Sequence, residues 1–170
     1  MQKLLVKQPG DTLSNGGALK RWLYRGQKPH WIAKILNRMW ATLASSGAGP
    51  NNIATLEVIG RKSGRVVSFP VVPAAVDGHR YLVSMLGENA QWVLNVRASG
   101  GKAVLRSGGR EEVQLEEIPV GERAPLLKAY LQVANGAQPH VPVNKDAPIG
   151  EFERIAAEFP VFRVTSDKTM

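Results

Sequence analysis

The chain of 170 residues contains no cysteine. That absence excludes disulfides, thiolate nucleophiles and cysteine-ligated zinc together, and it is neutral about compartment. Long apolar runs are missing as well. None approaches the roughly eighteen residues that a membrane span needs, so no integral membrane segment is expected. The opening residues, MQKLLVKQPGDT, lack the apolar stretch of a secretory signal, and a cytoplasmic location is the default. No internal repeat and no collagen-like glycine period occur. What is present suffices for a fold: 44% of residues are hydrophobic, which argues against disorder, and the length suits one domain with or without an appendage.

Acidic residues are absent from one long stretch. The formal net charge is +8, and residues 12–56 contribute Lys20, Arg21, Arg25, Lys28, Lys34 and Arg38 with no acid. The remainder is close to neutral, so residues 1–50 read as a basic arm and residues 51–170 as the domain body. A basic arm favours something anionic, whether nucleic acid, a phospholipid surface or a phosphorylated ligand, or it is a solvated face that aids solubility. It holds Trp22, Trp31 and Trp40, and Ile32, Ile35, Leu36, Met39, Trp40 and Leu43 recur at helical spacing. That stripe suits either packing on a core or lying in a membrane interface. Nucleic acid ranks below a small molecule as partner, because the charge is confined to this arm.

Beyond Asn52 the pattern turns extended. Asn52–Gly60 and Val66–Val76 read as strands, the second interrupted by Pro70 and Pro73 and therefore bent, bulged or at an edge. Asp77-Gly78 predicts a hairpin into Arg80–Leu86, and Gly108-Gly109 a second hairpin between Lys102–Ser107 and Arg110–Ile118. Helices are expected over Glu88–Ser99, with Ala90, Val93, Leu94 and Val96 inward, over Glu122–Ala134 and over Pro148–Phe159. Asn135–Ala147 reads as a proline-rich loop and Val161–Thr165 as a final strand. Five or six short strands joined by hairpins, with a helix between the third and fourth, imply a small, mostly antiparallel barrel with helices outside, an α+β fold.

Self-contained catalysis finds no support. His30, His79 and His140 lack ligand spacing, so no metal site is expected. No serine sits in a nucleophile elbow, and neither a phosphate loop nor a dinucleotide fingerprint is present. Glu111–Glu112 and Glu116–Glu117 alternate with apolar residues and read as a wet strand face. The informative segment is GRKSGRVVS. Gly60 and Gly64 permit a tight turn on which Arg61, Lys62, Arg65 and the Ser63 hydroxyl can converge on an oxyanion. Physics alone leaves two readings open, a charged hairpin or a phosphate clamp.

The run TLEVIGRKSGRVVSFPVV, then YLVS and QWVLNVRAS, resembles the deazaflavin (coenzyme F-420)-dependent nitroreductase and quinone reductase family. The likeness covers residues 50–118, and EFERIAAEFPVFRVT is similar to the family's C-terminal helix and strand. The resemblance implies a split β-barrel of the flavin-reductase and pyridoxamine-phosphate-oxidase type. It implies transfer of a hydride from reduced coenzyme F-420 to a quinone, enone or nitroaromatic acceptor. By position, Gly60, Arg61, Lys62, Ser63, Gly64 and Arg65 would hold the coenzyme's phosphate and oligoglutamate tail. Pro70 would lie along it, Ser84 and Met85 beside the deazaflavin ring, and Trp92 and Asn95 on the helix that walls the pocket. For Trp92 a place in the barrel core, and for Asn95 a bond to a neighbouring loop, are the alternatives.

The resemblance has gaps. Val67 stands where a base is usual, Met85-Leu86 where a lysine is often found, and the stretch Ala134–Pro148 has no tyrosines. His140, Ser84 and water are the candidate proton donors. Two rival functions follow: a flavin-mononucleotide-dependent oxidoreductase on the same barrel, or a non-enzymatic binder of deazaflavin or fatty acid. The arm keeps a peripheral place on an anionic membrane surface open, and a homodimer is also compatible.

Overall fold

The computed structural model describes residues 53–166, so the basic arm, its tryptophans and the boundary near residue 50 lie outside the described residues. The described residues form β1 (Ala54–Ile59), β2 (Val66–Val71), β3 (Ala74–Val76), β4 (His79–Val83), α1 (Gln91–Ala98), β5 (Lys102–Arg106), β6 (Arg110–Glu117), α2 (Val120–Val133), α3 (Ile149–Ile155) and β7 (Val161–Ser166). Every strand pair is antiparallel, in the order β2-β1-β5-β6-β7-β4-β3.

That order makes the sheet a barrel. β2 and β3 stand at opposite ends of it, yet only Val72 and Pro73 separate them in sequence. Two linking residues reach at most about 11 Å between flanking Cα atoms, so the sheet must curl until its edges nearly meet. One shared interior follows from the curl. Leu56, Phe69, Leu82, Leu105, Leu115 and Phe162, from six different strands, belong to a single buried cluster. α1 adds Trp92, Val93 and Val96 to it, and the Trp92 and Phe162 rings lie 5.3 Å apart at a 57° tilt. Side chains alternate across a strand. Tyr81 and Val83, flanking Leu82, and Val161, beside Phe162, therefore face the other way, into a second core with Leu127 and Leu131 of α2 and Phe152 of α3. This is the α+β split barrel with peripheral helices that the sequence leads one to expect.

Several elements differ in detail. There are seven strands among the described residues, and α1 falls between the fourth and fifth. The Val66–Val76 run is two strands, because the break at Val72-Pro73 carries the chain from one sheet edge to the other. α1 begins only at Gln91, after a turn, and it buries Trp92 and Asn95 where Leu94 is only half-buried. α2 starts at Val120, directly after Pro119. The proline-rich loop contains a 3-10 turn at Asn135–His140.

The strand acids are not simply wet. Glu111 accepts two bonds from Arg80, at 2.7 and 2.6 Å, and one from Ser166 Oγ at 2.6 Å. The Arg80 bonds foremost, then that of Ser166, hold its carboxyl below the usual range. Glu57, buried on β1, accepts from Arg106 Nε at 2.8 Å, as a buried carboxylate must.

Candidate functional site

β1 and β2 are paired up to Ile59 and Val66, and the six residues between them form a tight loop. The Gly60 N–H donates to the Arg65 carbonyl at 2.8 Å. The Gly60 carbonyl accepts from Gly64 N at 2.8 Å and Ser63 N at 3.2 Å. Ser63 Oγ accepts from Arg65 N at 3.3 Å, so this hydroxyl helps fold the loop. Both glycines are required by the geometry. Gly64 has φ +63°, in the left-handed region. A Cβ on Gly60 would lie 2.8 Å from Ser63 Oγ and 3.0 Å from Val67 Cγ2. The outcome is a rigid platform with Arg61, Lys62 and Arg65 all exposed.

One of the three cations is fixed in place. Gln91 and Asn95 are four apart on α1 and share a face. Arg61 Nη1 donates to Asn95 Oδ1 at 2.9 Å and to Gln91 Oε1 at 3.2 Å. The Arg61 backbone N–H donates to the same Asn95 Oδ1 at 3.2 Å. Asn95 is only 4% exposed, so its carbonyl oxygen is satisfied by the loop instead of by water. Lys62 and Arg65 have no side-chain partner among the described residues, which leaves two cations available to a ligand.

The turn Ser84–Ala90 leads into α1 at Gln91. Ser84 is fully buried, and its N–H donates to the Pro160 carbonyl at 2.8 Å. Its hydroxyl donates to the Gly87 carbonyl at 2.8 Å, so that proton is committed to the turn. Gly87 N donates to the Ser84 carbonyl at 3.2 Å and Ala90 N to the Gly87 carbonyl at 3.3 Å. Ala90 provides no side-chain cap for α1.

The structure thus brings together Gly60–Arg65 and Asn95 and places Ser84 and Met85 at the far end of the turn. Met85 packs in part against the α2–α3 core. Trp92 is 6% exposed inside the barrel beside Phe162. Pro70 is buried in β2 opposite Thr55, five residues past the end of the loop, or about 17 Å at a strand's rise. β2 is an edge strand, where a missing N–H is tolerated.

Residues that the sequence reading does not single out complete the site. Gln91 was legible in principle, through its four-residue spacing from Asn95. A ring of four charges was not. Arg97 Nη2 meets Glu88 Oε2 at 2.7 Å and Glu117 Oε1 at 2.6 Å, and its Nε meets Glu117 Oε2 at 2.9 Å. Arg123 closes the ring, with Nη2 at 2.9 Å from Glu117 Oε1 and Nη1 at 3.4 Å from Glu88 Oε1. The Arg97 bonds, with further help from Arg123, hold the Glu117 carboxyl below its ordinary range against the opposing effect of burial. Among the described residues no group of His, Asp and Glu could hold a metal ion, and no helix is long and apolar enough to cross a membrane.

Comparison with known proteins bears on this geometry. Residues 33–145 match the family described as F420H(2)-dependent quinone reductase. Among curated proteins none matches. The solved structures similar to this chain include an F420-H2 dependent reductase (FDR-A), 17% identical over 67% of this chain and 94% of that one, with a TM-score of 0.47. A NimC/NimA family protein from Clostridium acetobutylicum is 12% identical over 81% of this chain and 88% of that one, with a TM-score of 0.47. A pyridoxinephosphate oxidase family protein from the same organism is 12% identical over 79% and 84%, with a TM-score of 0.44.

Proposed function

This chain belongs to the F420H(2)-dependent quinone reductase family and is an oxidoreductase; from that premise we propose how its own residues serve the transfer of a hydride from reduced coenzyme F-420 to a quinone. The loop Gly60–Arg65 holds the coenzyme's anionic phosphate and tail. One observation carries this reading: Arg61 is fixed by Asn95 and Gln91 in advance, while Lys62 and Arg65 stand exposed on the same loop. A pre-placed guanidinium loses less rotamer freedom on binding than a mobile one, so more of its charge-assisted bond appears as affinity. When bound, the coenzyme's ring supplies the hydride.

The protein's own work is binding, orientation and exclusion of water. Met85, half-buried, borders the ring end, and Ser84, fully buried, holds the turn behind it. Trp92 acts from within the barrel, bracing α1 against Phe162 so that Asn95 stays under the loop. Because the Ser84 hydroxyl donates to the Gly87 carbonyl, the proton that the reduced acceptor needs comes from His140, exposed at the end of its 3-10 turn, or from water.

Fluorescence titration of the purified chain with coenzyme F-420 and, separately, with flavin mononucleotide tests the reading. The expected result is saturable binding of the deazaflavin and oxidation of its reduced form by menadione. Tight flavin mononucleotide binding without deazaflavin binding would instead make this a flavin enzyme on the same barrel. Binding of the deazaflavin without turnover of any quinone, enone or nitroaromatic would make it a carrier. Quinones partition into membranes, which gives residues 12–56, with six bases and no acid, a use as an attachment to anionic lipid. Co-sedimentation with anionic vesicles at low salt, lost at high salt, is the expected behaviour. A protein that stays in the supernatant at low salt rules the attachment out.

A further inference from the structure

We infer that Glu88 is a positioning residue for the acceptor side of the site, holding the turn Ser84–Ala90 in place through the ring it forms with Arg97, Glu117 and Arg123. The inference rests on the reading of the site given above. The loop and the turn meet at Gln91, which Arg61 touches and with which α1 begins. The two are secured differently. Asn95 and Gln91 fix the loop, whereas Glu88 is the one polar side chain of the turn bonded to the helices among the described residues. Its two carboxylate oxygens are divided between two guanidiniums, one on α1 and one on α2. A carboxylate held from two sides has little freedom to shift, and the backbone of Gly87 and Asn89 next to it inherits that restraint.

The ring is built so that this restraint can be removed alone. Arg123 is 4% exposed and keeps bonds to the Ile118 carbonyl at 2.8 Å, the Ala156 carbonyl at 3.3 Å and Glu117 whether or not Glu88 is charged. Arg97 likewise keeps both bonds to Glu117. Glu88 itself is 39% exposed at its side chain, so its pairs are partly solvated and contribute little to global stability. Its loss releases the turn and spares the fold. The turn also carries Leu86, 68% exposed, so a released turn displaces an apolar side chain beside the ring end proposed above.

Glu88→Gln in the full-length chain tests this with two readouts. Without coenzyme, hydrogen exchange of the peptide spanning residues 84–90 is expected to quicken by about ten-fold, while the rest of the barrel keeps its protection. With coenzyme, the KM for menadione is expected to rise about five-fold with kcat less affected and coenzyme affinity within about two-fold of wild type. Salt separates positioning from a folding defect: the wild-type KM for this neutral acceptor drifts towards the variant's as salt screens the ring, and the variant's stays flat. Unchanged exchange and unchanged KM in a wild-type-like background overturn the inference and leave the reading of the site standing. A wild-type chain that neither binds nor oxidises the coenzyme overturns that reading, and the role of Glu88 with it.

Discussion

Replacing Arg61 and Lys62 together with alanine is expected to weaken binding of reduced coenzyme F-420 by ten-fold or more. Charge-assisted hydrogen bonds contribute roughly 1.5–3 kcal/mol each, and about 1.4 kcal/mol already changes affinity ten-fold. The exposed loop reduces what either cation gives, which is why the expected loss is not larger. The gap between variant and wild type should narrow as salt rises, since screening removes the contribution that the variant lacks. Asn95→Ala provides the internal comparison. It keeps all three cations but frees Arg61 from its main acceptor, at 2.9 Å to the side chain and 3.2 Å to the backbone. Its loss of affinity should be smaller than the double variant's and show less salt dependence, because what is lost is preorganisation and not charge. Fluorescence titration at two salt concentrations reads both. Unchanged affinity in the double variant would remove the loop from coenzyme binding.

Legibility in the sequence followed the range of each interaction. Local signals carried far: Asp77-Gly78 predicts a tight hairpin, and both residues adopt positive φ, +50° and +76°, between β3 and β4. Pro70 and Pro73 signal an edge, and β2 and β3 are the two edges of the sheet. What the prolines cannot convey is that the same run supplies both edges, since that depends on how the other five strands pair. Asn95 marks the opposite limit. In a short helix with Trp92, Val93 and Val96 buried, hydrophobicity alone would turn Leu94 inward and Asn95 outward, although the helical period sets Leu94 opposite that face and Asn95 at its edge. Asn95 is buried because a loop 34 residues earlier brings a guanidinium and an N–H to its oxygen. Glu117 is similar. Alternation along β6 puts it on the face of Val113 and Leu115 while its charge reads as a wet strand edge, and neither signal reveals the two arginines that hold it. Members of the ring are separated by as many as 35 positions, and only the assembled barrel makes them neighbours.

Arg123→Ala is the substitution expected to cost the fold most among those at the ring. The guanidinium is 4% exposed and serves four acceptors: the Ile118 and Ala156 carbonyls, Glu117 and Glu88. Removing it leaves buried carbonyls without donors, at about 1–3 kcal/mol each. Glu117 loses one of two partners but keeps Arg97, so it is not left as an uncompensated charge. A total near 3 kcal/mol corresponds to a melting midpoint lower by about 6–12 °C for a chain of this size. Acid should reveal the same partnership. The folded-state pKa of Glu117 is depressed from its ordinary 4.5, so its stabilising effect is fully present above that value. The effect is lost as pH falls through the lower folded value. Melting midpoints of the wild type should therefore decline as pH falls from about 5 through the depressed folded value, and the Glu117 share of that decline should be smaller in Arg123→Ala, where the depression has only Arg97 behind it. Calorimetry across that range checks both the drop and the slope. A variant with wild-type stability and wild-type acid response would mean that Arg123 fills space in the barrel wall without supporting the ring.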